Sequence, residues 1–239
     1  MWEYKTFKSL PRCLNNAYNL YRKINKLTNF NMNVFILLIL GIGRLQTGSA
    51  VTHSLKQFMT GISGDTDFPE FTGVGLLDTC QVAYVDRNTN TVVPSDEWVK
   101  RVISDYWERH THRADDARQF FKNIMPVLRT LFNQSMSTGV YALQVMIGCE
   151  WDDETGVTDG FFNFGYDGED FISFDLETLT WIASGEQAGR IKHVWDNEKA
   201  ENEYWKTYVT QYCIDWLKTF LEYGRSILMR TVAPSVSLL

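Results

Sequence analysis

Two cysteines carry the first chemical possibility in this chain. Cys149 ends a β-rich run with the tail GCEWDDETG, and Cys213 sits inside an amphipathic run reading YCIDWLKTF. If they pair, a disulfide ties the end of a sheet strand to a helix lying across that sheet. Cys80 is then left as an odd thiol, expected to be buried in a strand. Carboxylates gather at Asp152-Asp153-Glu154 and at Asp167, Glu169 and Asp170. That residue type serves general acid and base chemistry, but no nucleophile, base and orienting group accompany it. These acids therefore read as solvated loop charges. His110-Thr111-His112 is a weak metal pair that reads better as an exposed helical or loop position. Neither a metal-ligand cysteine spacing nor a Gly-rich phosphate loop occurs, so no cofactor, no metal and no catalysis are expected. Asn133-Gln134-Ser135 is an N-glycosylation sequon, consistent with a secretory route.

The elements that must position these groups follow a repeated plan. From His53 to about Pro94, alternation broken at Gly64-Asp65, Phe68-Pro69 and Arg87-Asn88 predicts a four-stranded antiparallel meander. From Ser95 to Gln134 the period turns helical. Phe120, Ile124, Leu128 and Leu131 form one stripe, with Phe121, Met125 and Phe132 beside it. Pro126 inside that stretch predicts a kink or break. Then 139–153, 157–166, 171–174 and 180–183 read as four more strands, and 186–229 as a long segmented helix. Four strands and a helix, given twice, predict an α+β fold: one eight-stranded antiparallel sheet topped by two long helices. In Leu143, Val145, Ile147 and Cys149 the apolar face includes a candidate disulfide cysteine, so that face points at the helices. Phe162 and Phe164 are expected to share it, leaving Gln57 as its polar exception. An apolar groove and a packed core under close-set helices would both use these residues.

Charge is distributed unevenly along the 239 residues, whose net charge is −6. Residues 1–50 hold seven Lys/Arg and one acid, and the remainder holds sixteen against twenty-eight. An acidic body lacks the clustered basic residues of a nucleic-acid footprint. The basic start reads as targeting: Met32 precedes NVFILLILGIGRLQTGSA, apolar from Val34 to Ile42, with Gly48 and Ala50 placed for cleavage. The expected signal is thus residues 1–50, with Met32 as the true start and Cys13 upstream of it. Secretion makes a Cys149–Cys213 disulfide chemically permissible. The closing TVAPSVSLL reads as the beginning of a further domain, cut off at 231–239.

Over residues 51–239 the chain resembles the major histocompatibility complex (MHC) class I heavy chain in its bony-fish form. The motifs that carry the likeness are THSLKQF, DYWER, LFNQS, GCEWDDETG, GYDGEDFISFDLETLTW, KHVWD, CIDWLK and LMRTVAPSVSLL. The resemblance implies a ligand-binding platform of two halves (51–137 and 138–230) carried on beta-2 microglobulin. It further implies a following immunoglobulin-like domain and a membrane anchor, both missing here, and hence a cell-surface or secreted product. It implies that Cys149 and Cys213 form the platform disulfide. Gln144, Gly168 and Asp170 stand where the family contacts beta-2 microglobulin. Tyr106, Tyr208 and Trp216 match the pocket for a peptide amino terminus, and Trp195 the tryptophan over the last peptide bonds.

The departures bear on the ligand. Tyrosines of the family are replaced by Gln57, Ile147 and Phe220, and donors to the peptide carboxylate by Leu131, Ile191 and Val194. A carboxylate buried without donors costs several kcal/mol, so these positions disfavour gripping a free peptide carboxyl end. Met59, Val145, Ile147, Phe162 and Phe164 would instead bury a hydrophobic ligand. The expected function is display of a ligand, a peptide in most relatives, to T-cell or natural-killer-type receptors. The alternative is a divergent member that binds a hydrophobic ligand or none and itself acts as a receptor ligand.

Overall fold

Alternation and turn chemistry build the sheet. The computed structural model describes residues 51–86, 88–102 and 106–228. The expected signal segment with Met32 and Cys13, and the expected start of another domain at 231–239, lie outside the described residues. The first half comprises β1 (Thr52–Ser63), β2 (Phe71–Leu77), β3 (Cys80–Val85), β4 (Val92–Pro94), a short α1 (Glu97–Lys100) and α2 (Tyr106–Leu131). The second comprises β5 (Tyr141–Asp152), β6 (Thr158–Tyr166), β7 (Glu169–Asp175), β8 (Thr180–Ala183), α3 (Glu186–Trp195) and α4 (Lys199–Thr207). A π-helical turn (Tyr208–Tyr212) and α5 (Cys213–Leu228) complete it. The strands form one antiparallel sheet in the order β4-β3-β2-β1-β5-β6-β7-β8. β1 and β5 pair along their whole length, Thr52 opposite Asp152 and Ser63 opposite Tyr141. The first strands of the two halves thus join them into a single platform.

Three of the hairpins end in the same device. Asp86, Asp152 and Asp175 each accept hydrogen bonds from the backbone N–H and hydroxyl of the threonine three residues on. In each, the fourth residue on (Asn90, Gly156, Leu179) has positive φ and returns its N–H to the aspartate carbonyl. The aspartate side chain satisfies turn donors that would otherwise be unpaired. Thr155 and Thr178 thereby hold the Asp152 and Asp175 carboxyls below the usual carboxylate range. In the DDET run, Asp152 is thus the turn-forming acid.

Period 2 then decides the faces. Leu143, Val145, Ile147 and Cys149 are all buried, whereas Gln144 between them is exposed. On the buried face Phe121, Met125 and Leu128 of α2 and Ala188 and Ile191 of α3 join one core with Val145, Ile147, Phe162 and Phe164. A second core around Leu55, Trp98, Val99, Tyr106, Leu217 and Phe220 encloses the two cysteines. Cys149 and Cys213 are bonded, with Cα atoms 5.9 Å apart, and fix α5 to β5. Cys80, at the start of β3, is a half-buried free thiol.

Two local expectations change. The helix continues through Pro126 without a break, at a position that is exposed. The interruption comes earlier, between α1 and α2. In the second half, a π turn interrupts the long helix, and its residues Tyr208 and Val209 are both buried. Val209 rests on Gly160, at which a Cβ would come within 2.7 Å of the valine methyl. Only glycine in β6 admits that approach.

Candidate functional site

The floor between the helices is built from two cross-strand rows. Gln57, Ile147 and Phe162 are register partners on β1, β5 and β6, as are Met59, Val145 and Phe164. Such aligned neighbours touch across a sheet. Above the first row, Gln57 Nε2 donates to the Tyr208 hydroxyl at 2.8 Å. Trp205 packs on Phe162 at a ring-centroid distance of 4.7 Å and on Tyr208 at 5.8 Å. Burial pushes the Tyr208 phenol above its ordinary pKa, against the opposing field of Arg113.

α2 supplies the facing wall. Tyr106, His110, Arg113 and Ala117 recur at helical spacing and all line the same space. His110 is buried, stacked on Tyr106 at 3.7 Å, with Nδ1 hydrogen-bonded to the Tyr106 carbonyl at 2.8 Å. Burial, followed by the charges of Arg113 and Arg109, lowers its pKa to about 4, although the bond to the Tyr106 carbonyl opposes the shift. The imidazole is therefore neutral at physiological pH, and its Nε2 has no hydrogen-bond partner among the described residues. The expectation of an exposed His-x-His pair is corrected: His112 is exposed but His110 faces inward. The Arg113 guanidinium lies 4.7 Å from the centre of the Tyr208 ring.

The opposite wall is pinned by polar residues that sequence reasoning missed. Asn202 is buried; it accepts from Trp181 Nε1 and donates to the carbonyls of Leu179 and Trp195. Asp196 accepts from the Trp181 backbone N–H and from Lys192. Burial raises its pKa, but these bonds prevail and hold the carboxyl low. The KHVWD motif is thereby a clamp on the end of α3 that orients Trp195. Helical spacing offered a signal for His110, Arg113 and Asn202, since each is a polar residue within an apolar stripe.

These residues enclose a cavity of about 700 Å³. Gln57, Met59, Tyr106, Val145, Ile147, Phe162, Phe164, Trp195 and Tyr208 line it. Its two ends are crowded with rings. At one, Phe120 of α2 meets Trp195 of α3 at 6.1 Å, both over Phe164. At the other, Tyr106 meets Trp216 at 4.5 Å and Phe220 at 5.3 Å. Trp216 and Phe220 belong to that aromatic cluster and do not line the cavity. Leu131 and Ile191 line a separate cleft beyond the Phe120–Trp195 contact, beside Asn133. Val194 is 56% exposed and faces away from both. On the other face of the sheet, Gln144 and Asp170 are both register partners of Gly165. Gln144 and Asp170 are exposed, as is Gly168 in the β6–β7 turn. Asn133 is exposed just past α2, with φ of 58°.

Segmented helices over one eight-stranded antiparallel sheet, with a largely apolar cavity between them, define a two-helix groove platform. The description "Class I Histocompatibility antigen, domains alpha 1 and 2" matches residues 51–228. The chain belongs to the MHC class I family. It is 36% identical over 194 residues to "Major histocompatibility complex class I-related protein 1" of Bos taurus, covering 80% of this chain and 56% of that protein. To the Mus musculus protein of the same name it is 36% identical over 205 residues, 85% of this chain and 59% of the relative. To "H-2 class I histocompatibility antigen, K-D alpha chain" of Mus musculus it is 30% identical over 204 residues, 84% and 55% of the two chains. The chain thus spans less than two thirds of the length of these curated relatives. Among the described residues, no helix is long and apolar enough to cross a membrane.

Proposed function

We propose that this chain, a class I-like molecule of the bony-fish branch, displays a compact apolar ligand in its groove to T-cell or natural-killer-type receptors. The platform assembles with beta-2 microglobulin through the other face of the sheet, in the secretory pathway and at the cell surface. The observation that carries the ligand reading is the cavity bounded by Phe120–Trp195 at one end and by Tyr106–Trp216 at the other. A volume near 700 Å³ falls within the range of small-molecule sites. An extended peptide would have to part the Phe120–Trp195 contact to reach Leu131 and Ile191. There neither Leu131 nor Ile191 can donate to its carboxylate, and the donors of that cleft, Thr130, Asn133, Gln187 and Arg190, lie beyond that ring contact.

Mass spectrometry of material eluted from the assembled, cell-produced complex tests this. We expect non-peptide compounds of small-molecule size and no peptide ladder. Peptides of uniform short length sharing a C-terminal anchor would overturn the reading and restore ordinary peptide display.

The partner proposal rests on Gln144, Gly168 and Asp170, which the family likeness places at the beta-2 microglobulin contact. Removing a charge that is hydrogen-bonded across an interface costs a few kcal/mol. Asp170→Ala is therefore expected to weaken assembly by about tenfold or more. Unchanged recovery of the complex in pull-down would remove Asp170 as an anchor.

A further inference from the structure

One cation faces the cavity from a place where water screens it poorly. Arg113 is half-buried on the inner side of α2, its guanidinium against the Tyr208 ring. Among the described residues no carboxylate forms an ion pair with it. The other basic group on this wall, His110, is neutral at physiological pH, so the positive charge there belongs to Arg113. Tyr208 accepts a hydrogen bond from Gln57, which leaves its own hydroxyl proton to donate. Arg113 also hydrogen-bonds the Tyr208 oxygen, and the Tyr208 proton with the remaining guanidinium N–H groups forms a corner of donors that no carboxylate among the described residues takes.

Below that corner the surface is apolar and aromatic: Ile147 and Phe162 in the floor row of Gln57, and Trp205 packed on both Phe162 and Tyr208. Asp116, Glu198 and Glu201 also line the cavity, but all three are exposed. Their charges are screened by solvent, whereas a charge pair at the half-buried Arg113 meets a lower local dielectric. A cation would find only those screened carboxylates and would be repelled by Arg113. A neutral apolar ligand would leave the donors of Arg113 and Tyr208 unanswered, which weakens binding.

Building on the compact-ligand reading, we propose that the cavity takes a small apolar carboxylate, with its anionic head on Arg113 and Tyr208 and its body on Ile147, Phe162 and Trp205. Arginine suits this role because its planar fork can offer two parallel N–H groups to a carboxylate.

The experiment uses the full chain assembled as its cell-produced complex, stripped of endogenous ligand. Thermal-shift titrations are run with two carboxylates, dodecanoate and 2-naphthoate, each beside its neutral primary amide. The aliphatic and aromatic arms distinguish the two forms of the apolar body. At least one carboxylate is expected to bind about tenfold to a hundredfold more tightly than its amide, as a lost charged hydrogen bond predicts. Arg113→Gln should bring carboxylate and amide to equal affinity, and Arg113→Lys should restore part of the preference. If acid and amide bind the parent protein equally, the anion assignment fails while the compact-ligand reading stands. If the preference survives in Arg113→Gln, the assignment to Arg113 fails. If neither acid nor amide binds in either arm, the proposal and the reading beneath it both fail.

Discussion

Replacing Cys149 and Cys213 together by alanine is expected to lower the melting temperature by roughly 8–16 °C. The two cysteines are 64 residues apart in sequence, and a loop of that length contributes about 4 kcal/mol by the chain-entropy account. For a chain of this size each kcal/mol corresponds to about 2–4 °C. The position of the bond adds to the effect. Both cysteines are buried beside Leu55, Leu217 and Phe220, so losing two sulfur atoms also leaves unfilled space in that core. The same core carries Tyr106, which closes one end of the cavity. Loss of the bond should therefore loosen the Tyr106–Trp216 end before the Phe120–Trp195 end. Differential scanning calorimetry gives the first quantity, and hydrogen exchange of α5 against α3 gives the second. A melting temperature within 2–3 °C of the parent would contradict the assignment of the disulfide as the main tie between α5 and the sheet.

Acidification gives the second large effect, through His110. Its pKa in the folded chain is about 4, whereas an unperturbed histidine titrates near 6.5. Above pH 6.5 both folded and unfolded chains carry it neutral, and the stability is fully present. As pH falls from 6.5 to 4 the unfolded chain binds a proton that the folded chain refuses, so stability declines across that window. Below pH 4 the folded state also protonates and this contribution levels off. The total is of the order of 3 kcal/mol, from 1.36 kcal/mol per pKa unit. Asp152, Asp175 and Asp196 have lowered pKa values as well, but their linkage acts below the ordinary carboxylate value and so at more acid pH. His110→Phe keeps a ring on Tyr106 and has nothing to titrate. Its melting temperature should fall markedly less than that of the parent between pH 6.5 and 4.5. Parallel curves for the two proteins would show that His110 is not the group responsible.

The local patterns could be read without coordinates because each depends on neighbours in sequence. Alternation in Leu143, Val145, Ile147 and Cys149 assigned a buried face, and the tertiary structure places all four there. The strand runs of the second half differ from the observed bounds by at most two residues at each end. Motifs such as GCEWDDETG and CIDWLK led to the MHC class I family, which the family match and the curated relatives show. At Pro126 the sequence marks a missing N–H, which predicts a kink or break, and the helix assignment passes through it without a break. An aspartate three residues before a threonine recurs at Asp86, Asp152 and Asp175, yet the charge pattern points only to Asp152, and to that as loop charge.

What the sequence alone determined about this protein is the double plan of four strands and a helix, the apolar floor, and the two cysteines placed to join a strand to a helix. Those features follow from periods of 2 and 3.6 residues and from turn chemistry, which act over a few residues. Only the tertiary structure decided that Phe120 meets Trp195 across the groove and that His110 and Asn202 are buried. Only it decided that Arg113 faces Tyr208 with no ion-paired carboxylate among the described residues. Each of those outcomes is set by how far apart two helices rest on the sheet and which side chains then meet. Helix separation depends on the summed packing of residues from both halves, and no local period encodes it.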